Sequence, residues 1–136
     1  MQFELTVADD PPPNERASIL AALSGFNEMR AGPANYRALA VLLRDVANRQ
    51  TIGGLWGWSA YDWLRIDLLF IPEQLRGKGL STRLVRQAEA IAMERGHSGV
   101  WVDTFEFQAP GFYQKLGYEV FGVLPDHPRT TTVLPV

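Results

Sequence analysis

Residues 64 to 96 hold the strongest constraint in this chain. An apolar alternation, a proline stop, a glycine-bearing turn and an amphipathic helix follow one another without a gap. Leu64, Ile66, Leu68 and Phe70 alternate with Arg65, Asp67 and Leu69, the two-residue period of a strand, and Pro72 ends it. Leu80, Leu84, Val85, Ala88, Ile91 and Ala92 then recur at helical spacing. Arg83, Arg86, Gln87 and Glu94 take the opposite face, and Gly96 is the stop. The apolar helix face must bury on the sheet that holds the strand, which favours a layered α/β architecture.

The flanking segments add to that sheet. Phe3, Leu5 and Val7 alternate with polar neighbours and predict a first strand. Asp9-Asp10 before Pro11-Pro12-Pro13 predicts a helix start; the helix covers Asn14 to Leu23 and ends near Gly25, with loop from Phe26 to Asn35. Tyr36 to Arg44 and Gln50 to Ser59 read as a hairpin, irregular where Gly53, Gly54 and Gly57 fall. With Leu64 to Phe70 as the fourth strand, Gly99 to Thr104 is the fifth. A short helix from Pro110 to Leu116 precedes a sixth strand, Tyr118 to Leu124, and a seventh, Thr130 to Val136. No repeat, low-complexity tract or linker divides the 136 residues, so a single domain over 1–136 is expected.

Charge and cysteine usage narrow the chemistry. There are 13 basic and 15 acidic side chains, a net of -2, which attracts neither nucleic acid nor an anionic membrane overall. The balance is uneven: Arg76, Lys78, Arg83, Arg86 and Arg95 face only Glu89 and Glu94 between residues 74 and 95, a +3 segment in a -5 remainder. The absence of cysteine removes disulfides, thiolate zinc sites and a cysteine nucleophile together. His97 and His127 are isolated and form no metal site; His97, just past the helix stop, is expected at the surface. Met1 to Asp10 lack a basic signal-peptide start, and no apolar run reaches about 18 residues, so a cytoplasmic location is expected.

The junction Ile71-Pro72-Glu73-Gln74-Leu75-Arg76-Gly77-Lys78-Gly79-Leu80-Ser81 suits an anion. Free N–H groups and the helix dipole favour negative charge, and glycines let a phosphate approach the main chain. It is not a Walker loop, because Leu80 stands where Lys is needed ahead of Ser or Thr. Nor is it the dinucleotide pattern, because residue 82 is Thr. Gln74-Leu75-Arg76-Gly77-Lys78-Gly79 instead resembles the Gln/Arg-x-x-Gly-x-Gly/Ala signature of the GNAT superfamily of N-acetyltransferases, in its place between strand and helix. Ala109-Pro110-Gly111-Phe112-Tyr113-Gln114-Lys115-Leu116-Gly117-Tyr118 is similar to a second motif of that family, one strand later.

The resemblance implies an α/β (α+β) fold: a mixed, mostly antiparallel sheet of six to seven strands, flanked by helices, with parallel strands four and five splayed apart. It implies acetyl-CoA in the gap as cosubstrate and no metal. The backbone of Leu69, Phe70 and Ile71 would pair with the pantetheine arm, and Arg76, Gly77, Lys78, Gly79, Leu80 and Ser81 would hold the pyrophosphate. Tyr113 takes the family's proton-donor position; packing between helix and sheet is the alternative. The resemblance further implies an acceptor that is a primary amine of a small molecule or an exposed peptide amino group, with a homodimer as a further expectation. A non-catalytic acyl-CoA sensor on the same fold is the alternative function.

An alkyl ammonium with a pKa of about 10.4 must lose a proton before it attacks a thioester. Asp67 is the candidate base or water relay, or else a plain partner of Arg65 on the same strand face. Asp103 and Glu106, near the end of the fifth strand, compete for the role. Trp56, Trp58, Trp63 and Trp101 read mostly as packing, with a smaller share lining an acceptor pocket.

Overall fold

Three α-helices and a five-stranded sheet are built from the described residues of the computed structural model, which are 1–105, 108, 110–125 and 133–135. Contacts cluster into two units, Met1–Ala34 and Asn35–Val136. In the first, helix α1 (Pro13–Ala31) starts behind Pro12, with proline in its first turn where a missing N–H costs nothing. It runs past its expected end. Gly25 is interior, and an interior glycine costs only about 1 kcal/mol relative to alanine. The stop is Gly32, at φ 81°, whose N–H bonds the Glu28 carbonyl at 2.9 Å.

The expected first strand is absent: Gln2 to Val7 carries no strand, and Phe3, Leu5 and Val7 are exposed. Alternation says which face a strand would bury, but a strand exists only when another edge bonds to it.

In the second unit β1 (Arg37–Arg44), β2 (Thr51–Ala60), β3 (Trp63–Phe70), β4 (Gly99–Phe105) and β5 (Val133–Pro135) lie side by side in chain order. All neighbours are antiparallel except β3 and β4. The β2–β3 turn uses Tyr61 and Asp62 at φ 49° and 66°, the left-handed pair of a tight hairpin. Helix α2 (Leu80–Glu94) makes the crossover that a parallel pair requires. It buries Leu84, Val85, Ala88 and Ala92 against a core that includes Leu55, Leu64, Ile66 and Val102. Arg95 ties the far end of α2 to the sheet, donating to Ser59 Oγ (3.0 Å) and the Ala38 carbonyl (3.2 Å).

Two departures from the sequence reading matter for the site. Between Trp56 and Gly57 the β2–β3 register shifts, leaving Asp67 without a partner on β2. The bulge breaks the alternation: Leu69 packs against the core, whereas Leu68 and Phe70 are exposed. The second departure is strand count, five among the described residues rather than six to seven. Tyr118 to Leu124 forms no strand beyond a single bridge at Leu124. It is anchored by a side chain instead, as Tyr118 donates from its phenol to Glu89 Oε2 at 2.9 Å. Of the expected seventh strand, Val133–Pro135 pairs with β4; its other residues, with Glu106 and His127, lie outside the described ones.

The bulge demands glycine at residue 57, where a Cβ would stand 2.5 Å from the Arg65 carbonyl oxygen. Gly57→Ala is expected to destabilise the protein by about 1–3 kcal/mol through forced strand separation, read as a lowered denaturation midpoint.

Candidate active site

The site begins where a ladder ends. β3 and β4 pair through four register positions, from Trp63↔Gly99 to Ile66↔Val102, yet β3 continues to Phe70 and β4 to Phe105. Past the last pair the strands part, and a cleft of ≈ 780 Å³ opens between them. The expected splay is present.

One wall is Asp67 to Ile71 of β3 and its extension; the other is Val102, Asp103 and Thr104 of β4, with Phe112 and Tyr113 from α3 (Pro110–Lys115). Arg76 and Ser81 line the end toward α2.

The glycine turn has the backbone an anion needs. Gly77 and Gly79 lie at φ 77° and 75°, in the left-handed region, and nothing stands within 4 Å of where a Cβ would project from either. Gly79 is the N-cap of α2, and no side chain caps that end. The helix therefore offers uncapped N–H groups toward open space.

The five basic residues of this segment do not act together. Arg76 Nε donates to the Ile71 carbonyl at 2.9 Å, Arg86 pairs with Glu89 at 2.8 Å, and Arg95 is tied into β1 and β2. Among the described residues Lys78, within the turn, and Arg83, in the first turn of α2, are left without an ion pair.

Tyr113 is the buried phenol of the cleft, only 5% exposed and edge-on to Phe112 and Tyr118 with ring centres 5.0 and 5.7 Å away. Burial first, and then the Asp103 carboxylate, push its pKa up to about 12, so the phenol keeps its proton at neutral pH. Tyr118 is pushed up as well, by burial and by its bond to Glu89.

At the fork stands a cluster that the sequence showed only in pieces. Arg65 Nη2 donates to Asp103 Oδ1 at 2.7 Å, while Arg65 Nε is 3.8 Å from Asp67 Oδ1. Its guanidinium carbon sits 4.6 Å from the Trp101 ring centre. Asp67 lines the cleft and also neighbours Arg65. The tighter partner of Arg65 is Asp103. That pair joins strands separated by a helix, so no local spacing announces it.

The tryptophans are not core. Trp56 and Trp63 are exposed, Trp58 stacks on Tyr36 at 5.7 Å, and none of the four lines this cleft. His97 also differs from expectation, since both ring nitrogens are shielded and lack a hydrogen-bond partner among the described residues.

A family model described as the acetyltransferase (GNAT) family matches residues 8–118. A blasticidin-S acetyltransferase of Streptomyces morookaense is 41% identical over 121 residues, covering 88% of this chain and 86% of that one. An acetyltransferase of Agrobacterium fabrum is 37% identical over 102 residues, covering 75% and 74%. Among solved structures, an acetyltransferase from Bacillus cereus superposes with a TM-score of 0.82 at 27% identity, over 96% of this chain and 94% of that one. The chain belongs to the GNAT acetyltransferase family, and it is an enzyme of that activity. No helix among the described residues is long and apolar enough to cross a membrane.

Because the folded pKa of Tyr113 is raised, the stability it confers is complete below pH 10 and is lost as pH climbs toward 12. Wild type is expected to lose about 1.4 kcal/mol per pH unit more than Tyr113→Phe across that window, read by urea unfolding.

Proposed function

We propose that this acetyltransferase moves an acetyl group from acetyl-CoA directly to a primary amine of a small molecule. The observation that carries the reading is the meeting in one cleft of a parted strand pair, a buried tyrosine, and Arg76 and Ser81 from either side of an uncapped glycine turn. The residues fit the cosubstrate: open space beside Gly77 and Gly79 admits a phosphate, and Lys78 and Arg83 supply unpaired positive charge. In this reading Arg76, Gly77, Lys78, Gly79, Leu80 and Ser81 hold the pyrophosphate, and the backbone of Leu69, Phe70 and Ile71 lies along the pantetheine arm. Arg76 contributes chiefly by bracing the Ile71 carbonyl. Acetyl-CoA, when bound, supplies an acyl group activated as a thioester.

Tyr113 gives its phenolic proton to the departing sulfur, a role supported by its place in the cleft wall. Asp67, exposed at the bulge and facing the cleft, takes the ammonium proton directly or through a water. With no cysteine in the chain, a cysteinyl acyl-enzyme has no site, which supports direct transfer. The relative named for blasticidin S makes that compound the first acceptor to try.

Coenzyme A thiol release from acetyl-CoA, followed over blasticidin S, polyamines, aminoglycosides, amino acids and peptides, is expected for one small-amine class; release with none overturns the reading. Tyr113→Phe should lower kcat by about tenfold to a hundredfold with little change in acetyl-CoA affinity, at or below the lower end of the range for acid catalysis because a thiolate leaves readily. Equal loss of both marks Tyr113 as structural. Gly79→Val should weaken coenzyme A binding at least about tenfold by calorimetry, beyond the ~1–2 kcal/mol of strain from a left-handed valine. Unchanged affinity sinks the loop assignment.

A further inference from the structure

We infer that Asp103, oriented by Arg65, binds the ammonium group of the acceptor before transfer, so that the cleft selects amines arriving as cations. This rests on the acyl-transfer reading above and adds a residue that decides what enters.

Charge along the cleft is segregated. Arg76 stands at the loop end, bonded to the Ile71 carbonyl, where an anionic cosubstrate group is met. Asp67 and Asp103 stand at the fork, and one guanidinium serves them both. Two carboxylates against one cation leave an unmatched negative charge in the wall of a part-enclosed cleft. An ammonium group at that place completes the balance.

The geometry singles out Asp103. Arg65 is held from two sides, by the short bond to Asp103 Oδ1 and by the Trp101 ring beneath its guanidinium. Arg65 and Trp101 are also register partners across β3 and β4, so the backbone fixes what the side chains share. Oδ1 of Asp103 is engaged at 2.7 Å, and no protein donor bonds Oδ2 among the described residues. Asp67 has only the 3.8 Å approach of Arg65, longer than a hydrogen bond, and sits on a bulge without a β2 partner.

Asp103 is also the carboxylate whose charge acts on the Tyr113 phenol. A cation held there stands beside the proposed proton donor.

The test is equilibrium binding, separate from turnover. The full chain loaded with coenzyme A is titrated at pH 7.5 with 2-phenylethylammonium and with the uncharged 2-phenylethanol, by ligand-observed NMR. Wild type is expected to prefer the ammonium by about tenfold to a hundredfold, the range for a hydrogen bond to a charged group. Asp103→Asn should bring the two within about threefold, with coenzyme A affinity unchanged, and Asp67→Asn should lower the preference less than Asp103→Asn does. Both substitutions remove the same charge, so their comparison separates a contact from a net field.

Absence of a preference in wild type, its survival in Asp103→Asn, or a loss in Asp67→Asn as large as that in Asp103→Asn overturns the inference. Asp103→Ser serves as the second variant should Asp103→Asn fold poorly. Failure of every amine in the thiol-release panel overturns the transfer reading instead, and leaves this measurement standing.

Discussion

Four register pairs hold β3 to β4, and the cleft between these strands depends on their being no more than four. Had the ladder run on to Phe70 and Phe105, the strands would satisfy each other's backbone groups and close the cleft. Instead α2 clamps the paired part, packing Leu84, Val85 and Ala88 in one core with Leu64, Ile66 and Val102. The bulge at Asp67 turns β3 out of phase just past the clamp. Unpaired N–H and C=O groups in the parted region are tolerable because the cleft is open to water or to a bound extended chain.

The fork also sorts the charges. Arg76 and Ser81, on either side of two glycines in left-handed backbone and a helix N-terminus without a side-chain cap, line one end. Arg65 shared between Asp67 and Asp103 lies at the other. An anionic handle and a cationic acceptor would enter a cleft of this polarity from opposite ends. Tyr113 lies in the apolar wall between, where burial keeps its proton.

Sheet and helix also use their aromatic residues differently from what composition implies. Trp56 and Trp63 stay exposed, and Trp58 and Trp101 lie flat against Tyr36 and Arg65 rather than in the core. The core is aliphatic, with Tyr113 as its aromatic member. Trp101 contributes by stiffening an arginine at the fork, a role invisible to any count of aromatic residues.

The features encoded locally could be read from the chain. The hairpin from Arg37 to Ala60, the bounds of α2 and the glycine turn before it depend on periodicity and on residues that accept unusual φ, and both act within a few positions. The end of α1 was misplaced at Gly25 because glycine tolerates a helix interior; the stop belongs to the glycine at positive φ, Gly32. Tertiary structure alone decided the register of β3 on β2, which moved Leu68 off the core face. It likewise decided the pairing of Arg65 with Asp103, 38 residues away, and the shielding of His97. Register between strands is a contest among long-range pairings, and its outcome is set by how side chains pack across the sheet, which no stretch of sequence contains.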